Sequence, residues 1–170
     1  MQNTGRKIIL FTVSNVIPLL ILVSTACCQN KFNYLQVTGF STGFNLTNTT
    51  TLENRQTNSN AFQIVLSSKA TNTFSIYAKV SSSTSSSGTA MPASMLAVKL
   101  NTITPSVSAS FNTIALSTID QLLQQITTPS QFWSNNSSLT LNYDLLCGPV
   151  GYDYAPGNYN FTLLFTMTQP

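Results

Sequence analysis

Residues 154–170 read YAPGNYNFTLLFTMTQP, and their second half alternates apolar with polar side chains. The apolar positions are Tyr159, Phe161, Leu163, Phe165 and Met167, with asparagine or threonine at most positions between them. Because successive side chains of a β-strand point to opposite faces, this period of two predicts a strand whose odd-numbered face is buried. We therefore expect this segment to belong to a packed sheet.

The same period recurs upstream, in segments separated by residues that favour turns. Five further strands are predicted at 34–40, 61–66, 72–80, 95–103 and 138–146, and a weaker one around 107–114. Together with the C-terminal strand, about seven strands are expected. That number of strands is typical of an all-β, two-sheet antiparallel β-sandwich of the immunoglobulin-like or pilin-like kind.

One stretch, STIDQLLQQITTP at 117–129, departs from this rhythm. Its apolar residues follow the helical spacing i, i+3, i+4 and i+7, and they are Ile119, Leu122, Leu123 and Ile126. Ser117 and Asp120 resemble a capping box at the start, and Pro129 ends the run. The pattern predicts one short amphipathic helix near 118–126, lying over an open end of the sandwich.

The N-terminal region has the pattern of an export signal. Arg6 and Lys7 precede the apolar run 8–26, which ends on the small residues Ser24 and Ala26. This pattern predicts a signal peptide at 1–26 and a single β-sandwich domain at 27–170. The alternative is a retained membrane anchor, because the run is close to the length that spans a bilayer. We expect a secreted or cell-surface protein, which in a bacterium means the periplasm or the outer surface.

The three cysteines leave two interpretations open. The junction VSTACC at 23–28 resembles a lipoprotein box, in which Cys27 would be acylated. Cys28 and Cys147 would then remain as a pair able to form a disulfide in an oxidising compartment. If the signal is cut after Cys28 instead, Cys147 is a lone, sheltered small hydrophobe. In either case, membrane contact is expected only through the signal or a lipid anchor.

The composition argues against catalysis and against nucleic-acid binding. Charged residues make up 6% of the chain, with seven basic and four acidic side chains, and histidine is absent. No cluster of Lys and Arg is available for phosphates, and the usual general base and metal ligand are missing. The nearest pair of acids, Asp144 and Asp153, is expected on an outward strand face and in a Gly/Pro-rich loop. We therefore predict a protein that is not an enzyme and needs no cofactor or metal.

Several segments together resemble a known family type. They are TFSIYAKVSSS (73–83), GTAMPASMLAVKL (88–100), LTLNYDLL (139–146) and YDYAPGNYNFTLLFTMTQP (152–170). Their layout is similar to bacterial secreted β-sandwich domains related to pilins and spore coat protein U-type proteins. Gly157, Tyr159, Phe161, Leu163 and Phe165 match the terminal-strand pattern of those domains, whereas the cysteine pair that staples the first strands of many pilins is lacking. The resemblance implies a structural or adhesive surface subunit without a catalytic centre.

Two functions are expected from these observations. The first is an exported, fimbria-like structural or adhesive protein that assembles with itself or with other surface proteins by strand addition. A sandwich has edge strands that can pair with another chain, and the lysines that often block such edges are scarce here. The alternative is a monomeric secreted module that binds glycans or another ligand, with Trp133, Tyr152 and Tyr154 as stacking faces.

Overall fold

The computed structural model describes residues 7–13, 34–40, 42–67, 73–86, 88–127, 138–155 and 157–168. Within these ranges, nine strands follow one another along the chain. They are β1 (Lys7–Val13), β2 (Tyr34–Gly39), β3 (Gln56–Ser67), β4 (Thr73–Ser85), β5 (Leu96–Thr104), β6 (Thr113–Ala115), β7 (Gln121–Thr127), β8 (Ser138–Cys147) and β9 (Tyr159–Thr168). In the same ranges, a short helix, α1 (Thr49–Glu53), precedes β3, and a 3-10 turn (Ala93–Met95) precedes β5.

The strands form two antiparallel sheets, which confirms the predicted all-β sandwich. One sheet has five strands in the order β2-β3-β8-β5-β6, and the other has the order β1-β9-β4-β7. The seven predicted strands correspond to β2, β3, β4, β5, β6, β8 and β9. The weak strand expected at 107–114 is reduced to β6, whose three residues pair with β5.

The core consists of the inward faces of both sheets. On β9, Phe161, Leu163, Phe165 and Met167 are buried as the period of two predicts. They meet the facing residues of the other sheet, such as Phe62, in one continuous hydrophobic cluster. Each fully buried side chain of this size stabilises the fold by about 1.5–3 kcal/mol relative to leaving it in water.

The predicted helix near 118–126 is wrong, because residues 121–127 form β7, which pairs with β4. The register shifts opposite Ile76 and Tyr77, so that β7 carries a β-bulge there. A bulge places two successive residues against one on the partner strand. Leu123 and Gln124 are consequently both buried, and Ile126 follows on the same face. The bulge thus produces the spacing of three residues that resembles a helix.

Three further residues of the expected helix also differ from the helical prediction. Leu122, which the helical pattern placed on the apolar face, is 47% exposed on the outer face of β7. Asp120, expected in a capping box, instead forms an ion pair with the Nζ of Lys79 on β4, at a distance of 3.4 Å. The Oγ of Ser117 accepts a hydrogen bond from the backbone N–H of Ile119 at 3.2 Å, in a local turn.

Strand β1 lies inside the segment predicted to be a signal peptide. It pairs with β9 in antiparallel register from Lys7 opposite Met167 to Val13 opposite Phe161. Among the described residues, no helix is long and apolar enough to cross a membrane. The signal peptide at 1–26 remains a prediction. If residues 1–26 were removed, the edge of β9 that pairs with β1 would be exposed.

Candidate functional site

A cavity of about 740 Å³ lies at one end of the sandwich. Cys147 at the end of β8 is opposite both Gln56 at the start of β3 and Leu96 at the start of β5. The start of β9 is at the same end, since Tyr159 and Phe161 line the cavity together with Cys147 and Leu96. The floor of the cavity is formed where these strands meet, by Leu96, Cys147 and Phe161. The core is therefore open to the outside at this end.

Two loop segments form the walls of the cavity. One comprises residues 43–47 with Leu52 of α1, and the other lies within the loop that joins β8 to β9. Hydrogen bonds tie the walls together, because the backbone N–H groups of Val150 and Gly151 both donate to the carbonyl oxygen of Leu52 at 2.9 Å. Gly151 has φ of +64°, a left-handed conformation that glycine adopts without strain.

The sequence-predicted residues Tyr152 and Tyr154 both line this cavity. Tyr152 is 65% exposed, and its hydroxyl donates a hydrogen bond to Oε1 of Glu53 at 3.1 Å. Tyr154 is half-buried and meets Tyr159 edge to face, with ring centroids 6.2 Å apart. The hydroxyl of Tyr159 donates to the carbonyl oxygen of Ala155. The rim is thus aromatic, with two tyrosine hydroxyls already bound to protein acceptors.

Of the remaining predicted site residues, Cys147 lines the same cavity as Tyr152 and Tyr154. Trp133, Cys27 and Cys28 lie outside the described residues, so the stacking role of Trp133, acylation of Cys27 and the Cys28–Cys147 disulfide remain predictions. Cys147 is buried at the cavity floor and forms no disulfide with another described residue. Burial raises the pKa of that thiol to about 11, because the thiolate would be poorly solvated there.

Asp144 and Asp153, the nearest pair of acids in the sequence, lie in different surroundings. One oxygen of Asp144, on β8, accepts hydrogen bonds from the backbone N–H of Asn60 at 2.9 Å and from Nδ2 of Asn101 at 3.0 Å. Asp153 is exposed in the loop between β8 and β9. Asp144 therefore has a structural role at an irregularity in β3. Among the described residues, no group of three or more His, Cys, Asp or Glu side chains could hold a metal ion.

Sequence reasoning missed most of the apolar lining of the cavity. Phe44, Leu46 and Leu52 come from a stretch dominated by asparagine and threonine, and Met91 lies in the connection before β5. Isolated apolar residues in a polar segment have no period, so they carry no secondary-structure signal. The only indication of the lining in the sequence is that Phe44, Leu46 and Leu52 interrupt an otherwise polar segment.

A second candidate site is the edge of β9 that faces β1. β9 is ten residues long and contains neither a charged residue nor a proline. β1 covers seven of its positions, from Phe161 to Met167. The face of β9 that points away from the core is also sheltered, since Leu164 and Thr166 are buried.

This chain matches no protein-family model, no curated protein and no solved structure. The geometry of the cavity and of the β9 edge is therefore the basis for a functional interpretation.

Proposed function

We propose that the protein is an exported, non-catalytic cell-surface protein, a fimbria-like structural or adhesive subunit that assembles by strand addition at the edge of β9. The observation that carries this proposal is the pairing of β1 with β9. Residues 7–13 lie within the export-signal pattern, so the mature chain would lose the strand that covers this edge. Removal of the signal and exposure of the edge would then be one event.

The exposed edge would be well suited to another strand. Along seven consecutive positions of β9, the backbone N–H and C=O groups that point toward β1 would lose their partners. Unpaired edges of this kind pair readily with other chains, and proteins usually protect them with lysine, proline, bulges or short length. β9 has no lysine or proline, and its pairing with β1 is free of register shifts. A strand from a second copy or from another surface protein would restore the lost hydrogen bonds.

Export and assembly can be tested separately. The full chain is expressed in a secreting bacterial host, and the mass of the exported protein is measured. We expect loss of residues 1–26, and the same spectrum shows whether Cys27 carries a lipid. Sedimentation of the exported protein over a hundredfold concentration range should then reveal dimers or longer assemblies. A mature protein that retains residues 7–13, or one that stays monomeric throughout, contradicts the proposal.

A matched pair of variants ties assembly to this edge. Thr162 is opposite Thr12 of β1, within the seven covered positions, whereas Thr168 lies on the same strand face beyond them. A lysine within a pairing edge opposes strand addition. Thr162→Lys should therefore abolish assembly, and Thr168→Lys should leave it unchanged. Equal behaviour of the two variants would show that β9 is not the assembling edge.

The alternative function, a secreted ligand-binding module, is favoured by a different observation. The cavity at the end of the sandwich brings Tyr152 and Tyr154 to one rim, as the stacking hypothesis requires. An array of immobilised glycans probed with the exported monomer tests this second candidate. Retention that is lost in a Tyr154→Ala variant would support it, and absence of retention on every glycan would exclude sugars as the ligand.

A further inference from the structure

The cavity at the end of the sandwich has the size of a small-molecule site. Its volume of about 740 Å³ falls in the upper part of the range of about 300–1,000 Å³ that is usual for ligand pockets. Close-packed protein cores rarely contain voids larger than a water molecule. An opening of this size, with the core residues Leu96 and Phe161 at its floor, is therefore a candidate ligand-binding site.

The lining of the cavity disfavours a charged ligand. Its eighteen residues include no Lys, Arg, Asp or Glu. A charged ligand group placed on this floor would lose hydration without gaining an ionic partner, which is strongly unfavourable. Most of the deep lining is aliphatic or aromatic, and Met91 adds a flexible, polarizable side chain that adapts to irregular shapes. The occupant should thus be neutral, with an apolar body.

The hydrogen-bonding groups of the cavity are concentrated near its mouth. The side chains of Asn45, Thr47 and Asn158 line it and are exposed, whereas Leu96 and Phe161 on the floor are buried. The hydroxyls of Tyr152 and Tyr159 already donate to Glu53 and to the carbonyl of Ala155. A sugar, with hydroxyls on every side, would leave many of them unpaired against the apolar floor. A ligand with a single polar end at the mouth fits the lining better.

Backbone hydrogen bonds fix the walls of the cavity relative to one another. The two hydrogen bonds from Val150 and Gly151 to Leu52 join its walls, and the N–H of Gly148 donates to the carbonyl of Met95 at 2.7 Å. Walls fixed in this way lose little conformational entropy when a ligand binds.

We propose that this cavity binds a neutral small molecule that has an apolar body and one polar end. The apolar body would lie against Leu96, Met91 and Phe161, and the polar end would face Asn45 and Asn158 at the mouth. This binding site is largely separate from the edge used in strand addition, because Phe161 is the one described lining residue that lies within the part of β9 covered by β1.

The test uses N-phenyl-1-naphthylamine, a neutral apolar fluorophore, titrated into the purified protein. We expect saturable binding of one fluorophore per chain with a micromolar dissociation constant. Decanol, an apolar chain with one polar end, should displace it, and methyl glucoside at millimolar concentration should not. Absence of saturable binding, or displacement by the glycoside but not by decanol, overturns the proposal.

A matched pair of variants locates the bound fluorophore. Leu46 lines the cavity from its loop wall, whereas Leu122 is exposed on β7 and is not among the lining residues. Leu46→Trp should fill part of the cavity and weaken binding at least about tenfold, a change that is readily measured. Leu122→Trp should bind as the wild type does. Equal affinities of the two variants would place the fluorophore elsewhere and overturn the proposal.

A chemical readout on the wild-type protein complements the variants and does not depend on their folding. Cys147 lines the floor of the cavity. A bound molecule should shield it, so alkylation of Cys147, followed by peptide mass spectrometry, should slow several-fold at saturating fluorophore. An unchanged alkylation rate at saturation would show that the floor is not occupied.

Discussion

The ring of Phe62 on β3 lies 5.2 Å from the ring of Phe165 on β9, at an interplanar angle of 52°. The same Phe62 ring stacks on Tyr143 of β8, also at 5.2 Å, with the two planes within 6° of parallel. Phe62 therefore joins two strands of the five-stranded sheet and connects that sheet to the other one. Tilted and offset aromatic pairs of this kind contribute about 0.5–1.5 kcal/mol each beyond the burial of their area.

Replacement of Phe62 by alanine should be among the most destabilising single changes. The side chain is 1% exposed, so the substitution removes buried area, leaves a cavity and ends both ring contacts. We expect a loss of about 3–5 kcal/mol in the free energy of unfolding. Phe111, which is 47% exposed, provides the control, and Phe111→Ala should cost less than about 1 kcal/mol. Urea denaturation of both variants checks this difference, and similar losses would contradict the central position of Phe62.

Asn60 provides a test of the irregularity in β3. The register with β8 shifts between Asn58 and Phe62, and Asn60 has φ of +51°. Its N–H donates to Asp144, and its Oδ1 accepts from Nδ2 of Asn101 at 3.0 Å. Asparagine and glycine tolerate this left-handed conformation, whereas a β-branched residue is strained there.

Asn60→Val should therefore lower the free energy of unfolding by about 1–3 kcal/mol through backbone strain. Asn60→Gly keeps the conformation accessible and loses only the side-chain contact, so it should cost less than about 1 kcal/mol. Thermal unfolding followed by circular dichroism measures both. A valine variant as stable as the glycine variant would mean that residue 60 does not adopt the left-handed conformation in solution.

Gln124 tests the bulge in β7. Its side chain is 3% exposed, and its Oε1 accepts a hydrogen bond from the backbone N–H of Ser110 at 2.9 Å, while its Nε2 donates to the carbonyl of the same residue. Gln124→Ala would remove both hydrogen bonds and the buried volume of the side chain, and it should cost about 1–3 kcal/mol. Gln125, the exposed neighbour, offers the same substitution as a control within about 0.5 kcal/mol of wild type. If residues 121–127 were instead helical with Gln124 on the polar face, the two variants would behave alike.

The contrast between β9 and β7 shows what the sequence could predict. β9 keeps an unbroken period of two on its core-facing side, so its strand and its buried face were predictable from Phe161 to Met167. In β7 the bulge turns both Leu123 and Gln124 inward, and a buried glutamine next to a buried leucine breaks the alternation. The hydrogen bonds to Ser110 that allow Gln124 to be buried are tertiary contacts, so no local sequence pattern predicts them.

The cavity was predictable only at its rim. Tyr152 and Tyr154 stand out as aromatic residues in a loop rich in glycine and proline, and both line the cavity. Leu46 and Leu52 reach the same space from a polar segment that sequence alone gives no reason to bring there. Their position follows from the pairing of β3 with β8, which places the start of β3 beside the end of β8. Long-range pairing of this kind is not encoded in local spacing.

The thiol of Cys147 makes a prediction about pH. Its pKa rises from 9.0 to about 11 on burial, so the folded state holds its proton more tightly than the unfolded state. This contribution to stability is complete below about pH 9 and is lost as the pH rises toward about 11. A shift of this size corresponds to about 2–3 kcal/mol of unfolding free energy across the window.

Urea denaturation of reduced wild type and Cys147→Ala at pH 8, 9, 10 and 10.5 measures that loss. Wild type should lose stability with rising pH more steeply than Cys147→Ala, because alanine has no proton to release. Burial also raises the pKa of Tyr143 well above its usual value, but this residue is present in both proteins, so its effect cancels in the comparison. Parallel pH dependences in the presence of reductant would show that the thiol is not buried. A difference that appears only after reduction would instead indicate that Cys147 is held in a disulfide in the oxidised protein, as its predicted pairing with Cys28 requires.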